Sequence, residues 1–434
     1  MKNIYIITSF VLVFGFCKVK AQQTPANTTS ETISIVGATA HIGDGSVIEN
    51  AIIILEAGFI KEIGKTDEIN VQGTVVKADG HHVYPGLIMP NSTLGLGEID
   101  AVKATRDYDE VGSLLPHVRS LIAYNAESKV VESMRPNGIL LAQVTPRGGR
   151  ISGASSIVQL DAWNWEDAAV KIDDGIHINW PRSYIRKYEP SLSAVVSKKN
   201  EKYEKEVTEL KVFMANAKAY QKSTATTVNL PYAALKGVFN GNQKVYIHVQ
   251  KQKGIIDAIS AMKSLEIDQI VLVGAEEAFK TIELIKTEDI PVLIKRAHSL
   301  PSNADDDYDL SYKNAATLYK NGVLVALENS GDMERMNGRN LPFYAGTTTA
   351  YGLSFEEALQ LISFNAAKIL GIDKTYGSLE KVKSATLFIS KGNALDMRGN
   401  ILTKAFIDGR EISLETHQTE LWKRYMDKYS KAGE

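Results

Sequence analysis

Residues 244–295 read KVYIHVQKQKGIIDAISAMKSLEIDQIVLVGAEEAFKTIELIKTEDIPVLIK. Three apolar runs, KVYIHV (244–249), QIVLVG (269–274) and PVLIK (291–295), alternate with two helical patterns, GIIDAISAMKSL and EEAFKTIELIKT. Continuous apolar runs are what strands buried on both faces look like, and strands alternating with helices make βα units with a parallel sheet. Working outward, five further runs have the same character: VYPGLIM (83–89), ILLAQVT (139–145), SIVQL (156–160), IHINW (176–180) and VLVALEN (323–329). A third helical pattern, SYKNAATLYKNG, precedes the last of them. Eight such strands over roughly 285 residues suit a (β/α)8 barrel, an α/β fold of about 250 residues that tolerates insertions. A doubly wound open sheet is the alternative, but no GxGxxG follows a first strand. Gly95-Leu96-Gly97-Glu98-Ile99-Asp100 lacks the third glycine.

On either side of the barrel, residues 84–374, the pattern changes to short β runs. ISIVGATAHI, AIIILEAG and FIKEIG follow one another within residues 33–83, with Gly58 marking a tight hairpin. SATLFISKGNAL and ILTKAFIDGREISL lie within 375–414. Each half has too few strands to bury a core, so the two are expected to share one discontinuous β-sandwich. Residues 22–32 are polar and read as a flexible leader. Within 194–222, Tyr203, Val207, Leu210, Met214 and Ala217 form the single apolar stripe of an amphipathic helix. In the tail, residues 415–434, Leu421, Trp422, Tyr425 and Tyr429 recur at helical spacing and predict a terminal helix packed on the body.

The first 21 residues read as an export signal. Lys2 supplies the positive start, Ile4 to Cys17 an apolar stretch too short for comfortable membrane spanning, and Val19-Lys20-Ala21 a cleavage site. Phe16 precedes the cysteine, which disfavours lipid anchoring. The expectation is a periplasmic or extracellular mature protein without cysteine. No later stretch reaches about 18 apolar residues, so no membrane span is expected. The 434 residues are 44% hydrophobic and 23% charged, with 49 basic against 51 acidic side chains. That composition excludes general disorder and lacks the basic footprint of a nucleic-acid binder. Cys17 is the one cysteine, which excludes a disulfide framework and a CxxC zinc site.

Asp79-Gly80-His81-His82-Val83-Tyr84-Pro85-Gly86-Leu87-Ile88 resembles the "DAxGxxVxPGLID" segment entering the barrel of the amidohydrolase superfamily, in its imidazolonepropionase-like and dipeptidase-like branch. Asn365-Ala366-Ala367-Lys368-Ile369-Leu370-Gly371 and Gly377-Ser378-Leu379-Glu380 are similar to the family's "NPAKxLGxxxxxGSLExGKxADL", and Phe406-Ile407-Asp408-Gly409-Arg410 to its closing strand. The resemblance runs in order through nearly all of residues 33–414. It implies hydrolysis of C–N bonds in a small amide or peptide-like substrate, with zinc or another divalent metal activating water. It also implies where the metal ligands belong, and most are missing. The first-strand His-x-His positions fall on Asn91 and Thr93, and the sixth-strand histidine on Gly274. His248 matches the fifth-strand ligand; the eighth-strand carboxylate is Asp332, a candidate catalytic residue, unless Asn329 occupies that position. A rebuilt metal site would draw on His177, His248 and His298, all close to strand ends, with Asp100 and Asp107 as oxygen donors.

Arg147-Gly148-Gly149-Arg150 follows the second strand candidate and offers Arg147 and Arg150 to an anionic group of a substrate, although a structural loop fits the same residues. No GxSxG elbow, HExxH or Gly-Lys-Ser/Thr phosphate loop is present. Two readings remain open. One is an exported amidohydrolase with a reduced or rearranged metal site. The other is a non-catalytic homologue, a binding protein or the structural partner of an intact amidohydrolase in a homo- or hetero-oligomer.

Overall fold

The computed structural model describes residues 24–223, 227–303, 305–331 and 333–430. The export signal and the cleavage site after Ala21 lie outside the described residues, as does Asp332.

The chain begins with β1 (Ile33–His41), β2 (Val47–Glu56), β3 (Phe59–Lys65), β4 (Thr74–Lys77) and β5 (His82–Pro85). It enters the barrel through β6 (Leu87–Ser92), β7 (Ile139–Val144), β8 (Ile151–Gln159) and β9 (Ala169–Asn179). A hairpin, β10 (Tyr184–Glu189) and β11 (Ala194–Lys199), interrupts the barrel before β12 (Lys244–Val249), β13 (Ile270–Gly274), β14 (Val292–Ile294) and β15 (Val325–Leu327). The last strands are β16 (Leu387–Ser390), β17 (Leu402–Ile407) and β18 (Arg410–Glu411).

All eight apolar runs become strands of one barrel sheet, ordered β15-β14-β13-β12-β9-β8-β7-β6. The seam between β15 and β6 is bridged by Leu361 and Ile362, whose carbonyls accept from Leu327 N and Ile88 N at 3.1 and 2.8 Å. One strand departs from the eightfold βα pattern: β8 runs antiparallel to both β7 and β9. The reason is the connection, because only residues 145–150 join β7 to β8. A parallel crossover needs a dozen or more residues.

Ile88, Leu141, Ile157, Tyr246, Val271, Val273, Leu293 and Ala326 fill the barrel. Helix Phe364–Leu370 plugs its lower end with Ala366, Ala367 and Ile369. Lys171 Nζ donates to Leu370 O at 2.9 Å and Lys244 Nζ to Ile369 O, two cations on the last carbonyls of that helix.

Strands from both ends of the chain form one sheet, ordered β18-β17-β16-β5-β1-β2-β3, with β4 beside β1. Both chain ends therefore contribute to one discontinuous β unit, in which β5 pairs with β16 from Pro85↔Leu387 to His82↔Ser390. VYPGLIM splits between the two sheets at Gly86. A Cβ there would stand 2.7 Å from Thr386 Cγ2 and 3.1 Å from Leu140 Cδ1, so the crossing requires glycine.

Three other expectations change. The leader is tied down, since Ala26 N donates to Asp161 Oδ2 at 2.8 Å and Ala26 O accepts from Arg410 Nη1 at 2.9 Å. The stripe within 194–222 is helical only from Tyr203 to Tyr220, where Tyr203, Leu210, Met214 and Ala217 are buried; residues 194–199 are β11. Helix His417–Ser430 forms but buries none of its residues, leaving Trp422 63% and Tyr429 63% exposed. Among the described residues no helix is long and apolar enough to cross a membrane.

Candidate functional site

The inside of the barrel collects polar residues from strands that are otherwise apolar. Gln143 in β7, Ser155 in β8, Asp174 and His177 in β9, and Glu328 after β15 are all buried. They do not stand alone. Asp174 Oδ1 accepts from Ser155 Oγ at 2.7 Å, and Oδ2 accepts from Tyr246 OH at 2.7 Å and Gln143 Nε2 at 2.9 Å. Burial pushes the Asp174 carboxyl up, against the pull of these donors.

His177 lies flat on Tyr246, with ring centroids 4.6 Å apart and planes 7° apart. Its Nε2 is 2.9 Å from Ser155 Oγ and its Nδ1 2.9 Å from His248 Nε2. Proton accounting assigns the tautomers. With the Ser155 hydroxyl donated to Asp174, His177 Nε2–H donates to Ser155, and His177 Nδ1 accepts from His248 Nε2–H. His248 Nδ1 is then the only lone pair left in the pair. Burial, the neighbouring His248 and the Arg147 guanidinium hold His177 well below the usual imidazole range. Burial and then Arg147 bring His248 down to about 3. Both rings are neutral at pH 7.

At the first-strand end stands the second cluster. Asn91 adopts a left-handed backbone conformation, φ 51°, which asparagine tolerates better than most residues. Arg147 Nη1 donates to Asn91 Oδ1 at 3.0 Å, and Arg147 Nη2 donates to Asn91 O at 2.9 Å and to Glu334 Oε1 at 3.0 Å. Glu334 Oε1 also accepts from Thr93 Oγ1 at 2.6 Å. Arg335 Nη1 reaches Thr93 Oγ1 at 3.4 Å while its Nη2 pairs with Asp100. Asn91 Nδ2 donates to Glu328 Oε2 at 3.2 Å, and Ser330 N and Oγ donate to the same carboxylate. Burial raises Glu328 above the usual carboxylate range.

These contacts place the residues anticipated from sequence. His177 and His248 come together, but as a hydrogen-bonded pair. His298 does not join them: it is exposed on the loop after β14, with Nε2 2.7 Å from Thr347 Oγ1 and its ring against Tyr344. The three-histidine site therefore does not assemble, and among the described residues no group of three His, Cys, Asp or Glu side chains could hold a metal ion. Gly274 has φ 83°, a conformation that strains any residue with a side chain, and a Cβ there would also displace the Gln250 amide, so a histidine fits poorly at that strand end. Asp100 is taken by Arg335. Asn329 Nδ2 donates to Glu334 O at 2.7 Å. The donor set does not fit the family's metal: an amide, a hydroxyl and a mutually bonded imidazole pair replace convergent imidazoles.

Arg147 and Arg150, expected to face a substrate, bond inward. Arg150 Nη1 donates to Asn179 O at 2.9 Å and its Nη2 pairs with Glu206 at 3.3 Å. A cavity of about 590 Å³ does open beside His248. Trp180, Arg182, Tyr184, Arg186 and Lys251 line it, and the β10–β11 hairpin forms part of its wall. Sequence reasoning missed Gln143, Ser155, Asp174, Tyr246, Glu328 and Glu334. Gln143, Tyr246 and Glu328 carried a signal, a polar residue inside an apolar strand run; Ser155, Asp174 and Glu334 lie outside the runs and carried none.

The eight-stranded α/β barrel, with a sheet from both chain ends beside it, is the architecture of the amidohydrolase superfamily. The sequence profile of the amidohydrolase family matches residues 175–412, and the chain belongs to that family. It is 24% identical to an imidazolonepropionase of Thermoplasma volcanium over 378 residues, covering 82% of this chain and 89% of that protein. Among solved structures, an amidohydrolase from Thermotoga maritima superposes with a TM-score of 0.75 at 21% identity, covering 88% of this chain and 99% of that one. A Xaa-Pro dipeptidase with bound methionine in its active site has a TM-score of 0.52 at 14% identity, covering 88% and 100%.

Proposed function

We propose that this amidohydrolase-family protein is exported and binds a small amide- or peptide-like molecule at the barrel mouth without the family's metal-dependent hydrolysis. The observation that carries this reading is the 2.9 Å bond between His177 Nδ1 and His248 Nε2, which turns the one matching ligand histidine toward a neighbour. The cavity beside His248 supports the binding half, because about 590 Å³ lies in the range of small-molecule sites. The apolar N-terminal stretch and Val19-Lys20-Ala21 support export.

Hydrolysis of C–N bonds by a rearranged centre is the second reading. It is favoured by the long match to an imidazolonepropionase and by the position of His248 on the cavity wall. Elemental analysis after gel filtration, with turnover assays on dipeptides and cyclic amides, separates the two. The expected result is less than one equivalent of transition metal and no turnover. Stoichiometric zinc lost together with activity in His248→Ala would establish the hydrolase instead.

A further inference from the structure

We infer that the Arg147 guanidinium is a built-in cation at this strand end, joining by hydrogen bonds the residues that stand at the first-strand ligand positions of a metal-dependent relative. The inference rests on the proposed reading that these strand ends do not hold the family's metal. Its geometry is that of a coordination centre made from hydrogen bonds. One planar cation contacts Asn91 Oδ1, Asn91 O and Glu334 Oε1 at 2.9–3.0 Å, so it ties the end of β6 to the segment following β15. Asn91 and Thr93 occupy the two first-strand ligand positions. Asn91 is bonded directly to Arg147, and Thr93 reaches it through the shared Glu334 oxygen. Glu328, on the other side of Asn91, adds a fully buried carboxyl to the partly buried Glu334.

A guanidinium suits this task for a physical reason. It stays charged at any working pH, presents donors in a rigid plane, and is more weakly hydrated than an ammonium, so its burial costs less. Its positive charge also repels a divalent ion from the same oxygens.

Removing the charge should therefore leave a cluster of oxygens that responds to added cations. We compare Arg147→Ala, Arg147→Gln and Arg147→Lys with the unaltered protein in thermal melts, alone and with about 10 mM guanidinium chloride or 1 mM manganese(II) chloride. Wild type should be unmoved by either salt beyond the shift of a sodium chloride control. Arg147→Ala and Arg147→Gln should melt several degrees lower and recover part of that loss with guanidinium or manganese. Arg147→Lys keeps the charge without the fork; it should melt between wild type and Arg147→Gln and stay insensitive to manganese. If Arg147→Ala does not fold, the Gln and Lys variants carry the comparison. Equal responses to the added cations in Gln and Lys variants would overturn the inference, as would no recovery in any neutral variant. Zinc or manganese bound stoichiometrically by wild type would sink the metal-free reading itself, which is a separate result.

Discussion

Two neutral imidazoles, a serine and a carboxylate occupy the barrel interior, and their protonation has a measurable consequence. His248 is brought from 6.5 down to about 3. Between those values the unfolded chain binds a proton there that the folded chain does not. Its stabilising contribution is therefore complete above about pH 6.5 and lost progressively toward pH 3, at about 1.4 kcal/mol per pH unit. Glu328, whose pKa is raised, acts in the opposite sense, losing stability as pH rises, so the effect is best read as a difference. Denaturant titrations should show a shallower acid-side loss in His248→Gln than in wild type, and parallel pH curves would contradict the assignment. Tyr246→Phe removes the hydroxyl that donates to Asp174 at 2.7 Å but keeps the ring under His177. It should cost about 1.5–3 kcal/mol of unfolding free energy, the range for a hydrogen bond to a charged group.

At the scale of elements, the chain separates what builds the barrel from what decorates it. The β10–β11 hairpin pairs with itself alone, and Asn200 N donates to Ser183 O at 2.9 Å across its base. Replacing residues 184–199 with an Asn-Gly turn should shift the melting temperature by only a few degrees in calorimetry. It should also weaken any ligand of the cavity, since Tyr184 and Arg186 are lost from the wall. A collapse of the thermal transition would mean that the hairpin supports the barrel. The β7–β8 turn is different in kind: its shortness forces β8 antiparallel, which delivers Ser155 to Asp174 and His177. Here a connection, not a strand, positions the polar network.

Across the whole molecule, one buried carboxylate joins three parts of the chain. Asp161, with a side chain 2% exposed, accepts from Arg135 Nη1 at 2.7 Å, Arg410 Nη1 at 3.2 Å and the leader's Ala26 N at 2.8 Å. Arg410 belongs to β18 of the end sheet, while Arg135 and Asp161 flank barrel strands. Asp161→Ala removes the carboxylate that two guanidiniums share, and should destabilise by about 3–5 kcal/mol. Limited proteolysis should then cut within residues 24–32, which the wild-type contacts protect. An unchanged cleavage pattern would show that the leader is held by other means.

Much of this architecture was legible in the chain because strands buried on both faces carry nearly unbroken apolar runs. All eight barrel strands announced themselves that way, and the β-rich ends gave the second sheet. The absence of imidazole at residues 91, 93 and 274 was equally plain, since a missing side chain needs no geometry to detect. Strand direction was another matter: SIVQL reads the same whichever way it runs, and only its pairing partners decide. The same holds for the histidines. Sequence places His177, His248 and His298 near strand ends, but whether they converge depends on loop paths and side-chain directions set by distant neighbours. The aromatic spacing of the tail foretold a helix yet could not say whether a surface was available to bury it. Composition and periodicity are local quantities. Convergence, burial and the partner of each polar atom are properties of the packed chain, and they decided the character of the site.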